Sequence, residues 1–178
     1  MVGIINADNL FQFPDFRSTE RAFQLITQVS GRAGRRQKQG TVLIQTSMPK
    51  HPIFKDIIEN NYRRFYQRES MEREKFIYPP FCRLIMVNLK HKKPKLVREA
   101  ALIFADLLTQ KLGNRVRGPS EPGVGRVRGF YLQNILIKLE KKNSAIKATK
   151  EWIIIFKNKV QETKGLKSVR INIDVDPF

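Results

Sequence analysis

Residues 28 to 35 read Gln-Val-Ser-Gly-Arg-Ala-Gly-Arg, with Arg32 and Arg35 three apart and each preceded by a glycine. Two guanidiniums on so slim a stretch of backbone can reach one polyanionic group, and their planar forks match phosphate oxygens bidentately. A nucleoside triphosphate suits that chemistry. Arginines placed on a transferring γ-phosphoryl group stabilise the charge developing there, an effect of ~10³ to 10⁵ in rate. Gln28 adds an amide that can hydrogen-bond a phosphate, a water or a partner loop. The same string also reads as a flexible basic turn on a nucleic-acid backbone, or as a helix end running into a solvated loop. Residue types alone leave the three open.

The remaining cations point to larger polyanions. Lys and Arg number 34 against 16 acidic residues, a formal net charge of +18 over 178 residues. The excess is uneven, with six basic against three acidic residues up to Met48 and 28 against 13 from Pro49 onward. Such a field draws phosphodiester backbones by counterion release and gives salt-sensitive, largely sequence-independent binding. A general solubilising surface is the plainer alternative. The densest local cluster lies between Gly113 and Gly129, where Arg115, Arg117, Arg126 and Arg128 are interspersed with Gly118, Gly123 and Gly125. Slim residues between cations allow close approach to phosphates, although a solvated hairpin connection has the same composition. Asp174 and Asp176 read as strand-end residues rather than metal ligands, and His51 and His91 fall in loops. With Cys82 the only cysteine, neither an internal disulfide nor a tetrahedral Cys-rich metal site can form.

The elements that must position these groups follow from hydrophobic period. Val2 to Asn6 predicts a buried strand of an α/β lobe, and Phe13 to Phe16 a loop. Ser18 or Thr19 caps a helix with Ala22, Phe23, Ile26, Thr27 and Ser30 at helical spacing. That helix ends by delivering the two arginines, Gly31 and Gly34 breaking its pattern. Residues 41 to 46 return as a β-branched strand. The unit should show partly naked hydrophobic faces, and is expected to be poorly ordered or packed on another chain. Pro52 opens a second helix, its face running through Phe54, Ile57, Ile58, Asn61, Phe65 and Arg68, and Pro79-Pro80 ends that register at a domain boundary.

Beyond it the order reads βαββαβ: strand Arg83 to Lys90, helix Pro94 to Leu112, short strand Val116 to Gly118, long strand Gly129 to Glu140, a helix bearing Trp152, Ile153, Phe156 and Val160, and a strictly alternating strand to Val175. This predicts an α+β ferredoxin-like sandwich with both helices on one sheet face. With Ile135, Ile137, Ile171 and Ile173 inward, Asn134, Lys138, Arg170 and Asn172 form a polar, partly basic platform on the open face, suited to single-stranded nucleic acid or another domain. It lacks the paired aromatics by which sheets stack bases, and of Phe130 and Tyr131 at least one is expected in the core.

Gln28, Gly31, Arg32, Gly34 and Arg35 match the QxxGRxGR pattern of motif VI in superfamily 2 helicases, and the surrounding residues resemble one branch, the primosomal replication-restart helicases. The likeness is carried by Asn6-Ala7-Asp8, Phe13-Pro14-Asp15-Phe16-Arg17 and Glu20-Arg21 before the motif. After it come Gly40-Thr-Val-Leu-Ile-Gln-Thr, Pro79-Pro80-Phe81, Gly118-Pro119 and Asp174-Val175-Asp176-Pro177, in the family's order, over nearly the whole chain. At Glu121-Pro122-Gly123 the chain departs from its relatives, which more often carry an apolar, proline-marked stretch there.

The resemblance implies the C-terminal part of an ATP-dependent 3′ to 5′ DNA helicase that restarts stalled forks and loads the primosome. Residues 1–48 would be the α/β end of a RecA-like lobe 2, residues 49–80 a linking helix ending at Pro-Pro, and residues 81–178 an S10-like C-terminal domain. Gln28, Gly31, Arg32 and Arg35 would bind ATP, with Arg32 and Arg35 catalytic. Candidate DNA contacts come from the residues rather than from the resemblance: Arg115, Arg117, Arg126 and Arg128 of the loop, and Lys138 and Arg170 of the open sheet face. ATP and Mg²⁺ are the cofactors implied for the full-length protein. Zinc belongs to the family, but its cysteine ligands are absent here. No phosphate loop G-x-x-x-x-G-K-[ST] and no acidic metal motif occurs, so this stretch alone is expected to hold no cofactor and hydrolyse no ATP. Implied partners are forked and single-stranded DNA, the remaining helicase domains, single-stranded DNA-binding protein and primosome proteins.

No run of about 18 apolar residues can span a bilayer, and no basic region followed by a long apolar stretch opens the chain. A lone cysteine fits a reducing compartment. A bacterial cytoplasmic protein without membrane attachment is expected. A reading from another class is a stand-alone ribosomal-protein-like module that binds RNA or DNA without motor function, and a third is an adaptor that docks proteins.

Overall fold

Val2–Ile4 (β1) and Val42–Ile44 (β2) pair in parallel, Val2 opposite Val42 and Ile4 opposite Ile44, and helix Ser18–Ala33 (α1) lies between them in sequence. The computed structural model describes residues 1–11, 15–33, 40–141 and 143–177, so Gly34 and Arg35 of the arginine motif, and Phe13 and Pro14 before it, lie outside the described residues. Period-2 alternation sorts the small sheet into two faces. Ile4 and Ile44 pack against a core of Ala7, Ala22, Phe23, Ile26, Ile53, Phe54 and Phe65, whereas Leu43 on the outer face stays 55% exposed and Ile5 at the strand end 82%.

Three expectations are corrected in this unit. Gly31 does not break α1, which runs on to Ala33. A helical glycine costs about 1 kcal/mol relative to alanine, too little to undo a helix anchored by buried Ala22, Phe23 and Ile26. Nor is the stretch after Pro49 one linking helix. It forms Pro52–Ile58 (α2) and Tyr62–Lys75 (α3). Asn60 takes a left-handed φ of 49°, which asparagine tolerates at a helix C-terminus, and Asn61 caps α3 by accepting a hydrogen bond from the Arg64 N–H at 2.9 Å. Ile58, expected on the buried face, is exposed. Phe65 of α3 stacks on Phe23 of α1, ring centroids 4.2 Å apart, and residues 1–76 form one compact unit.

At the centre of these helices Asp56 is fully buried. Arg64 Nε lies 2.5 Å from its Oδ1 and Arg68 Nη1 2.6 Å from its Oδ2, so one carboxylate ties α2 to the first two turns of α3.

The second unit, Ile77–Pro177, holds Arg83–His91 (β3), Pro94–Leu112 (α4), Val116–Ser120 (β4), Arg126–Val127 (β5), Phe130–Leu139 (β6), Asn143–Glu162 (α5) and Arg170–Val175 (β7). The sheet order is β4-β6-β3-β7, with β5 paired to β6, and each of these neighbours is antiparallel. Ile85, Val87, Leu89, Ile135, Ile137 and Ile171 point to one face, where Val97, Phe104 and Leu108 of α4 and Ile153 and Val160 of α5 seal them. Ile173, expected inward, is 38% exposed on the edge strand. Gly118 sits at φ 103° where β4 shifts register against β6, and a Cβ there would come 2.7 Å from the Asn134 carbonyl oxygen.

Removing one partner of a buried ion pair costs about 3–5 kcal/mol. Asp56→Ala should cost about 3 kcal/mol, the lower end because both guanidiniums keep some water access. Amide exchange in α1 and α3 under native conditions measures it. Unchanged protection would mean that the carboxylate does not hold the helices together.

Candidate functional site

Two groups of cations are available, one per unit, and they are built differently. In the first, α1 carries Glu20, Arg21 and Arg32 as its charged residues. Glu20 Oε2 lies 2.7 Å from Arg73 Nη2, and Arg21 Nη1 lies 2.9 Å from the buried Asp15. Arg32 has no carboxylate partner among the described residues. It stands exposed on the last turn, one turn beyond exposed Gln28. A cation at a helix C-terminus is favoured by the helix dipole by about 0.3–1 kcal/mol, which accounts for its tolerance there but not for the neighbouring glycine. A Cβ on Gly31 would meet no atom within 4 Å, so nothing in this unit requires the small residue. Arg35 lies outside the described residues.

Other residues quoted for the helicase resemblance turn out to fasten this unit. Asp8 accepts hydrogen bonds from the Thr46 hydroxyl, from the Ser47 N–H at 2.8 Å and from the Ser47 hydroxyl at 2.5 Å. The Ser47 and Thr46 hydroxyls, with the Ser47 amide, hold its carboxyl below the usual range. Asp15 accepts from the Arg17 N–H at 3.0 Å. The turn after β1 is thereby strapped to the end of β2.

In the second unit the arginines of residues 113–129 do not gather at one point. Val116 opposes Ile137 and Val127 opposes Phe130, so strand pairing spreads them along β6 over about 23 Å at 3.3 Å per residue. Arg115 pairs with Glu140 at 2.6 Å, and Arg117 donates to the Asn114 carbonyl at 2.5 Å. Arg128 and Gly129 both have positive φ, 48° and 80°, the backbone signature of a type I′ hairpin turn. Arg128 is thus exposed at a tight tip, with the Arg126 guanidinium nearby in sequence held 5.0 Å over the Tyr131 ring.

The sheet face away from the helices carries Lys138 and Arg170 with Asn134 and Asn172, and pairing adds residues the sequence reading left out. Asn88 of β3 opposes both Asn134 and Asn172, and Lys90 opposes both Leu132 and Arg170. Phe130 shares their parity, and its ring lies under Arg170 Cζ at 5.2 Å and Lys90 Nζ at 6.0 Å. Tyr131 goes the other way, against the core. Alternation along β3 and β6 carried the signal for Asn88, Lys90 and Phe130. Lys138 lies at the far end with Nζ 3.6 Å from the Tyr78 ring centroid, and desolvation pulls its ammonium pKa below the usual lysine value. Among the described residues no group of three or more His, Cys, Asp or Glu side chains could hold a metal, and no helix is long and apolar enough to cross a membrane.

Residues 74–178 match the family model described as Primosomal protein N C-terminal domain. Curated relatives similar to this chain include the replication restart protein PriA of Bacillus subtilis, 34% identical over 100% of this chain and 22% of the relative. That of Synechocystis is 36% identical over 100% and 21%, and that of Treponema pallidum 35% over 99% and 26%. The chain spans about a fifth to a quarter of the length of these relatives. It belongs to the PriA family.

If Gly31 serves only something that approaches from outside the unit, replacing it should help the isolated chain. Gly31→Ala is expected to raise unfolding stability by about 0.5–1 kcal/mol, read by thermal denaturation. Destabilisation would mean that the glycine has an internal role.

Proposed function

We propose that this member of the PriA family supplies the C-terminal part of an ATP-dependent 3′ to 5′ DNA helicase acting in replication restart. The observation that carries the motor reading is Arg32. It is the one charged residue of α1 without an ion-pair partner among the described residues, exposed beside Gln28 and a glycine that nothing internal requires. In this reading β1, α1 and β2 are the end of a RecA-like lobe 2, the free edges of the two-stranded sheet receive neighbouring strands, and its exposed outer face receives helices. Gln28, Arg32 and Arg35 then face the γ-phosphate of ATP bound with Mg²⁺ on the other lobe. Their role is to stabilise charge on the transferring phosphoryl group and couple its loss to lobe movement.

The second unit is read as a ferredoxin-like, S10-like domain, a reading supported by a βαββαβ order to which only the two-residue β5 is added, and by a sheet in which β3 lies between β6 and β7. It is proposed to hold forked or single-stranded DNA within a cytoplasmic restart complex. The basic excess after Met48 and the hairpin bearing Arg126 and Arg128 support phosphate contact. Single-stranded DNA-binding protein and primosome proteins are its proposed protein partners.

In the full-length protein, Arg32→Ala should lower DNA-stimulated ATP hydrolysis by ~10³-fold and leave DNA affinity unchanged. Steady-state turnover with a matched DNA titration decides it, and near-normal turnover would remove Arg32 from the ATP site. For the second unit, changing Arg126 and Arg128 together to Ala should flatten the salt dependence of forked-DNA binding by about two counterions, since each phosphate contact contributes a slope of about 0.7–0.9. An unaltered slope would place the phosphate contacts elsewhere.

A further inference from the structure

Across the open face of the second unit, Asn134, Asn88 and Asn172 stand side by side on β6, β3 and β7, and Ser120 of β4, opposite Asn134, extends the row. Asparagine is depleted in strands, so three in one cross-strand row run against local preference. Sequences make such departures chiefly where a site requires them. Among the described residues no side-chain hydrogen bond ties these amides to the protein, and each offers two donors and an acceptor oxygen. Met86 opposite Leu136 borders the row on one side and Leu132 on the other. Beyond Leu132 lies Phe130 under its two cations. Phe130, Leu132 and Asn134 are successive positions on one face, about 6.6 Å apart.

This pattern suits bases better than phosphates. Leucine and methionine strips would desolvate a phosphate without compensation, and Asp174 opposite Met86 repels one. Bases, by contrast, stack on aromatic rings and guanidinium planes and offer donors and acceptors to amides. Only an unpaired strand can turn its base faces to a sheet. We propose that this face is a track for single-stranded DNA in which one base stacks on the Phe130–Arg170 unit. Adjacent base edges bond to the asparagine row, and Lys90 meets the backbone. Stacking dominates, so the track tolerates any sequence. The inference rests on the DNA reading above and deepens it by naming what the strand presents.

The test titrates the 178-residue chain against two labelled strands of about 15 nucleotides, oligothymidylate and an abasic strand of equal length, at one salt concentration. The unaltered chain should bind the base-bearing strand about tenfold more tightly. Phe130→Leu keeps an apolar side chain but removes the π face, and should erase most of that preference while leaving abasic binding unchanged. Trp152 fluorescence and a thermal melt check its fold. Should Phe130→Leu not fold, Arg170→Lys on the exposed edge strand serves instead, keeping charge but losing the guanidinium plane, and should reduce the preference about threefold. Equal binding of the two strands by the unaltered chain overturns the track and leaves the DNA reading standing, as does a preference that survives the substitution. Binding of neither strand sinks the DNA reading itself.

Discussion

The register between β3 and β6 fixes the chemistry of the second unit. Arg83 pairs with Leu139 and the match runs without interruption to His91 opposite Tyr131. A slip by one residue would turn every inward side chain of one strand outward, and burial forbids it: either Ile85, Val87 and Leu89 of β3 or Ile135 and Ile137 of β6 would be carried into water. Once the apolar set is committed to the helices, Asn88, Lys90, Phe130 and Asn134 have no choice of face. The asparagine row therefore needs no separate organising force. It is placed by hydrophobic burial on the opposite side of the same sheet, and β7 joins it because Asn172 aligns with Asn88.

How far the sequence was legible depended on which force decided each element. Long periodic segments such as Pro94–Leu112 and Arg170–Val175 formed where alternation or helical spacing placed them, since burial and period agreed. The break between α2 and α3 is masked in the sequence although Asn60-Asn61 is a turn-and-cap signal, because apolar residues on either side keep a helical period across it. Gly31 carries only a modest helix penalty, which burial on the far side of α1 outweighs. The arginines of residues 113–129 looked like one loop by composition. Pairing with β6, a long-range contact that no local window contains, pulled them apart into strand ends and a hairpin tip. Phe130 was legible in parity but obscured by its neighbour Tyr131, which does enter the core.

The first unit shows the opposite balance. Its two strands are three residues each, and parallel pairing is normally buried on both faces. Here one face is sealed by α1 and the aromatic contacts of α2 and α3, while Leu43 on the other meets solvent. Stability on the sealed side comes from a small apolar core and from charges with defined partners: Asp8 on Thr46 and Ser47, Asp15 on Arg21, Asp56 on Arg64 and Arg68. None of these carboxylates reaches Arg32, which has no ion-pair partner among the described residues. Its charge remains available to an anion supplied from outside the unit, as the proposed ATP role requires.

The two proposed roles of the second unit act over different ranges. Basic residues spread along β6 and at the Arg128 tip attract any polyanion, and screening limits that attraction to about 8–10 Å at physiological salt. It cannot tell duplex from single strand, because both carry phosphates. Stacking on Phe130 and amide contacts on the asparagine row act only at van der Waals distance and only on bases that are not already paired. Affinity and selectivity are then separable on one small domain: the cations set how strongly DNA is held, and the open sheet face sets which strand of a fork is held there. At a junction where duplex meets single strand, such a division would let the hairpin follow the backbone while the sheet engages the unpaired bases.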